Sequence, residues 1–322
     1  MGKKSRNKKA RRKQGASGAK GNAGAPPPVP DRRALEKTMS DLHRLLAEQS
    51  FADMDEANRF MADLLGKSGG RVPGLPARSP VEEAQDIMYE AWDARGAQRI
   101  ALARKALQLS ADCADAYVLL AEETARSLVQ RRELYEQGVA AGERALGERI
   151  FREGAGSFWG ILETRPYMRA RAGLAQSLWL LGEREAAVGH YQEMLRLNPN
   201  DNQGVRDLLI NCLLALGRDQ EAGQLLEDYA EGGMATWLYS WALWAFRREA
   251  DSAQARRRLR NALKENRHVP DFLLGRKRIP RRLPDLIGFG DEDEAVAYAA
   301  FAIENWQRTP GALEWLAAAR KG

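Results

Sequence analysis

At 322 residues, 44% apolar and 29% charged, the chain can bury a sizeable core and has room for about two domains. Its longest strongly apolar stretch, Thr236 to Phe246, falls well short of the ~20 residues that a membrane-spanning helix needs. Its two cysteines, Cys113 and Cys212, lack Cys-x-x-Cys spacing, which excludes a disulfide framework or zinc ribbon.

The net charge of +6 is unevenly placed. Residues 1–33 hold eleven of the 50 Lys and Arg but one of the 44 acids, leaving 39 basic against 43 acidic residues in the body. The basic character therefore belongs to the tail. Residues 1–30 lack apolar periodicity and combine this cationic block with Gly, Ala, Ser and Pro26-Pro27-Pro28, a composition expected to stay disordered. Gly15 to Pro30 stand where a secretory signal would need an apolar core, so a cytoplasmic setting is expected.

From Asp31, a good N-cap, Leu35, Met39, Leu42, Leu45 and Leu46 recur at helical spacing. A second helix follows over about 55–65 with Phe60, Met61, Leu64 and Leu65 on one face, so residues 31–66 read as a helical hairpin. Residues 67–80 carry three prolines and three glycines and read as a linker. Beyond Pro80 almost every segment reads as helix. Met168 to Asp201 shows the ~34-residue period of a tetratricopeptide repeat: Leu174 beside Ala175, Gly182 ending the first helix, then Ala187, Tyr191, Leu195 and Leu197 before Pro199. The unit from Gln203 to about residue 231 repeats it with Leu209, Ile210, Leu213, Gly217, Ala222 and Leu226. Weaker units cover about 80–110, 114–147 and 239–270, five in all over 81–270, above the minimum of about three for a stack. The expected fold is all-α: a tetratricopeptide-type helical-repeat solenoid with a disordered basic N-terminal tail. Residues 271–322 supply a basic loop and a final helix, begun by Asp291 to Glu294 and running to about Trp306, expected to cap the stack.

From Phe158-Trp159 through Glu163-Thr164-Arg165-Pro166-Tyr167-Met168-Arg169-Ala170-Arg171 to Asn198-Pro199-Asn200-Asp201-Asn202-Gln203-Gly204, the chain resembles tetratricopeptide proteins related to the suppressor of tumorigenicity protein 7 family. The resemblance implies a repeat scaffold and no defined reaction. By likeness to tetratricopeptide repeats, positions 2, 5, 9, 12 and 13 of each unit line a concave groove: Arg169, Ala172, Gln176, Trp179 and Leu180, then Gly204, Asp207, Asn211, Leu214 and Ala215. Gln176 and Asn211 can bond a peptide amide through donor and acceptor ends, and Arg169 can fork onto a carboxylate. Arg165 and Arg206 add positive potential. The expected protein-binding residues are thus Arg165, Arg169, Gln176, Trp179, Arg206, Asp207 and Asn211. The set does not reproduce the carboxylate clamp of chaperone-binding relatives.

Catalysis has no visible seat, and neither a cofactor nor a metal is expected: the three histidines, His43, His190 and His268, are scattered, and no nucleophile or phosphate-loop motif occurs. His190 and Glu193 at i, i+3 lack further ligands and read as a solvated face. Gly288-Phe289-Gly290 precedes four acids that would repel phosphate. The tail residues Lys3, Lys4, Arg6, Lys8, Lys9, Arg11, Arg12 and Lys13 could meet RNA, DNA or an anionic surface, without specificity since no aromatic is interleaved, or serve solubility alone. Arg276, Lys277, Arg278, Arg281 and Arg282 around Pro280 could bind an acidic partner or phosphate, or pair with the body's own acids. The expected function is a non-catalytic scaffold or adaptor holding a peptide or protein in the groove; the alternative is a nucleic-acid- or ribosome-associated factor docked by its tail.

Overall fold

The structure is a computed structural model, and it describes residues 32–67, 72, 74, 77, 79–284 and 286–320. The tail cations Lys3 to Lys13 and most of the 67–80 linker lie outside these residues. Among the described residues there is no strand, and no helix is long and apolar enough to cross a membrane. The described residues form fifteen α-helices, in order α1 (Arg32–Ala47), α2 (Met54–Lys67), α3 (Pro80–Asp93), α4 (Gly96–Leu109), α5 (Ala114–Glu123), α6 (Leu128–Glu153), α7 (Arg165–Leu181), α8 (Arg184–Leu197), α9 (Val205–Leu216), α10 (Asp219–Asp228), α11 (Ala235–Glu249), α12 (Ala253–Glu265), α13 (Val269–Leu273), α14 (Glu292–Arg308) and α15 (Ala312–Ala319).

Local sequence sets most of these bounds. Ser79, Ser127, Ser252 and Asp291 stand just before α3, α6, α12 and α14, and each side chain accepts a backbone N–H from three residues on, satisfying a donor the helix cannot. Gly182 and Gly217 end α7 and α9 in the left-handed region, at φ of 87° and 72°. Each lets the following N–H turn back, Glu183 onto the Leu178 carbonyl at 2.9 Å and Arg218 onto that of Leu213 at 3.0 Å. Gly147, at φ 65°, breaks α6 where the 114–147 segment ends.

From α3 to α12 the helices pair antiparallel, α3 with α4 through α11 with α12, and each pair packs on the next. Small residues let the backbones approach. The closest case is Gly173 on α7, where an added Cβ would lie 2.2 Å from the Tyr135 ring of α6. One apolar core runs the length of the stack, from Ala84, Met88 and Trp92 through Tyr167, Leu174 and Tyr191 to Trp237, Tyr239 and Trp306.

Two elements depart from the sequence expectation. α1 packs on α3 and on the short turn before α7, not as a hairpin on α2, and α2 buries none of its residues. It also turns its charged side inward. Glu36, Asp41 and Arg44 are buried, while Leu35 and Met39 stay 55% and 43% exposed. The reason is charge: Arg44 forks onto Asp86 at 2.8 and 3.0 Å, and Glu36 receives Arg165 and Arg169. α14, expected to cap the stack, instead lies back across α11 and α9, where Asn305 Nδ2 donates to the Asn211 carbonyl at 3.1 Å. α15 covers α12.

Candidate functional site

The helices α7 and α9 present a common side, and α14 crosses it. Together they enclose a cavity of about 580 Å³. Gln176, Trp179 and Leu180 reach it from α7, Asp207, Asn211 and Ala215 from α9, and Tyr298, Phe301 and Glu304 from α14. Met234, Thr236 and Ile287 complete the rim. Leu180, Ile287 and Phe301 are 54%, 46% and 53% exposed, so the mouth is apolar and open to solvent. A larger hollow of about 820 Å³ lies around Gly217, Arg247 and Arg308 and contains none of the seven side chains singled out in the sequence.

The cavity's polar groups differ in how far they are engaged. Asn211 Nδ2 donates to the Asp207 carbonyl at 2.8 Å, while its Oδ1 is buried with no partner among the described residues. Gln176 is exposed. Glu294 is fully occupied, accepting from Ala235 N at 2.9 Å, Gly290 N at 2.9 Å and Asn266 Nδ2 at 2.8 Å. Glu304 pairs with Arg308 at 3.2 Å on the surface. Burial pushes the Asp207 carboxyl up to about 6, against the pull of neighbouring Arg206. The basic lining residue is Arg184, whose guanidinium lies 5.1 Å from the Trp179 ring centre. The wall is thus mainly apolar with an acidic bias.

Four of the seven expected residues, Gln176, Trp179, Asp207 and Asn211, meet at this cavity. The three arginines do not. Arg169 bonds Asp115 at 2.8 and 2.5 Å and Glu36 at 3.0 and 2.9 Å. Burial opposes its charge, but Asp115 and Glu36 outweigh that and hold it protonated. No fork is left for a ligand carboxylate. Arg165 donates to the Trp159 carbonyl at 3.0 Å and to Glu36 at 3.3 Å. Arg206 lies 5.1 and 5.6 Å from the Tyr229 and Trp237 ring centres and 3.7 Å from Asp201. Arg165 and Arg169 thus bond within the fold, and Arg206 rests against its own chain's rings.

The sequence reading missed the α14 wall, because it placed that helix at the end of the stack. A signal existed: Val296, Tyr298, Ala300, Phe301 and Ile303 spread apolar character around more than one face, which a helix packed on one side does not need. His190 and Glu193 do not form a ligand pair. Arg196 holds Glu193 at 2.6 and 2.7 Å, and burial, then Arg171, lowers the His190 pKa to about 4. Among the described residues no group of three or more His, Cys, Asp or Glu is placed to hold a metal.

Comparison with known proteins extends this picture. The family described as "ST7 protein" matches residues 77–156, which span α3 to α6. The chain is 29% identical over 258 residues to the Suppressor of tumorigenicity 7 protein-like of Gallus gallus, covering 71% of this chain and 45% of that protein. It is also 29% identical over 258 residues to the human protein of that name, with 71% and 44% covered, and 27% identical over 261 residues to the Protein ST7 homolog of Drosophila melanogaster, with 73% and 48% covered. The chain thus spans a little under half the length of these curated relatives. No solved structure matches it. On these matches, the chain is related to the ST7 family.

Proposed function

We propose that the five helix pairs are tetratricopeptide-type repeats, and that the chain is a non-catalytic scaffold binding a peptide or protein segment in the cavity between α7, α9 and α14. The observation that carries this reading is the convergence there of Gln176, Trp179, Asp207 and Asn211, drawn from two consecutive units, beneath an apolar rim of Leu180, Ile287 and Phe301. Concave, mostly apolar sites with a few directing polar groups are where ligands bind. Trp179 and Phe301 offer rigid contact area, and Gln176 can bond a peptide amide from either end. Arg165, Arg169 and Arg206 do not line it.

Affinity capture with the full-length protein tests this, comparing wild type with a Trp179→Ala, Phe301→Ala variant and a Leu109→Ala control. Leu109 lies on α4, away from the cavity, and is 38% exposed. Partners lost from the cavity variant but kept by the control are expected. Identical partner sets for all three would overturn the reading.

A further inference from the structure

The outward side of α12 and the loop leading into α14, which lends Ile287 to the cavity rim, form a second surface. On α12, Arg257, Arg260 and Lys264 recur at helical spacing, and Arg267 continues the row just past the helix end. All four are exposed, and none forms an ion pair with another described residue. The opposite face of α12, with Ala255, Leu259 and Ala262, is buried, so the stripe faces water.

The row ends beside the loop. An added Cβ on Gly290 would lie 2.8 Å from the Glu265 carbonyl, and Asn266 Nδ2 donates to the Asp291 carbonyl at 2.9 Å. The loop opens with exposed Arg276, Lys277, Arg278 and Arg281, of which Lys277 pairs with Glu292 at 2.6 Å. Ile279 and Leu283 turn in against the core. Leu286 and Phe289 turn out, 64% and 84% exposed, and Phe289 is the most exposed large apolar side chain among the described residues. Gly288 N donating to Asp291 at 3.0 Å and Gly290 N to Glu294 at 2.9 Å tie the far end down. Among the described residues the acids on this side are Glu265, Asp271, Asp291, Glu292 and Asp293; Asp271 is engaged by Arg320, Asp291 as the α14 cap and Glu292 by Lys277, while Asp285, next to Leu286 in sequence, lies outside the described residues.

Single exposed apolar residues need no explanation, but two large ones at a tethered loop tip, beside a row of exposed cations, do. A phosphate backbone would engage the arginines and leave Leu286 and Phe289 in water. An anionic bilayer satisfies both: headgroups for the cations, and the acyl boundary for the tip. We infer that this face, the Arg257–Arg260–Lys264–Arg267 row with loop residues 276–284 and 286–289, docks peripherally on an anionic lipid surface, with Leu286 and Phe289 entering the interface. The attachment rests on two modest signals together, charge and apolar insertion, so losing either releases it.

Both native cysteines are buried, so an environment-sensitive dye on a Phe289→Cys substitution reports on this loop alone. The full-length protein is mixed with vesicles of phosphatidylcholine, or of three parts phosphatidylcholine to one part phosphatidylserine. The expected result is a blue-shifted, brighter dye with the anionic vesicles only. Arg260→Glu with Lys264→Glu, and separately Leu286→Ser, should each weaken vesicle affinity about tenfold or more, with helical circular dichroism unchanged. Raising salt should also release the protein. Vesicle binding with an unshifted dye and no effect of these variants would assign the lipid contact to the tail and overturn the inference. So would no binding, or binding to polyuridylate RNA that the charge reversals abolish while the dye stays unshifted by vesicles.

Discussion

Asp207 projects from α9 at the cavity wall, where burial lifts its carboxyl from the ordinary 3.8 to about 6. Between those values the folded chain holds more proton than the unfolded one, so this group makes stability fall as pH rises through the window. Asp207→Asn abolishes the term. The variant should gain on wild type by about 2 kcal/mol between roughly pH 4 and pH 7, read from urea unfolding at each pH. His190 pulls the other way, since its pKa is lowered from 6.5 to about 4 and its contribution rises with pH over a similar range. The difference between the two proteins, not either curve alone, therefore isolates Asp207. Parallel curves would show that this carboxyl titrates normally. A ligand carrying an amine or guanidinium beside Asp207 should bind more tightly above that range, where the carboxylate is charged.

At the scale of elements, the chain's own helices occupy much of the side that sequence assigns to a ligand. α1 sits there by ion pairs. Arg169, with its side chain 12% exposed, bridges Glu36 of α1 and the fully buried Asp115 of α5. Arg169→Met should cost about 3–5 kcal/mol, because it strands Asp115 without its cation. Glu36→Gln leaves the Arg169–Asp115 pair intact, so it should speed amide exchange in α1 while moving the thermal midpoint little. Equal losses of stability from both variants would contradict this division. The helix pairs themselves were legible in sequence, since glycine ends, serine caps and small-large alternation are local signals: Gly182, Gly217, Ser79 and Ser252 fall where helices stop and start. The placement of α1 was not. Its Leu35, Met39 and Leu42 row and its Glu36, Asp41 and Arg44 row are both periodic, and the choice between them depends on Arg169, 133 residues from Glu36. The α14 crossing failed for the same reason, since Asn305 and Asn211 are 94 residues apart. At the cavity, residue types were legible on the α7 and α9 walls, and the third wall was not.

Across the whole molecule, opposite characters are kept apart. The cavity between α7, α9 and α14 has an apolar rim with Asp207 and Glu304 among its walls, while the α12 stripe and the following loop gather cations. The molecule thus offers one surface suited to an apolar or cationic segment and another suited to anions. The tightest check on the first is a photo-reactive benzoyl-phenylalanine placed in the full-length protein at Leu180, on the cavity rim, and at Leu109 as the remote control. Cross-linked adducts specific to the Leu180 position, and lost when Phe301→Asp is added, are the expected result. The same adducts from both positions, or adducts at Leu180 that survive Phe301→Asp, would contradict the cavity as the binding seat.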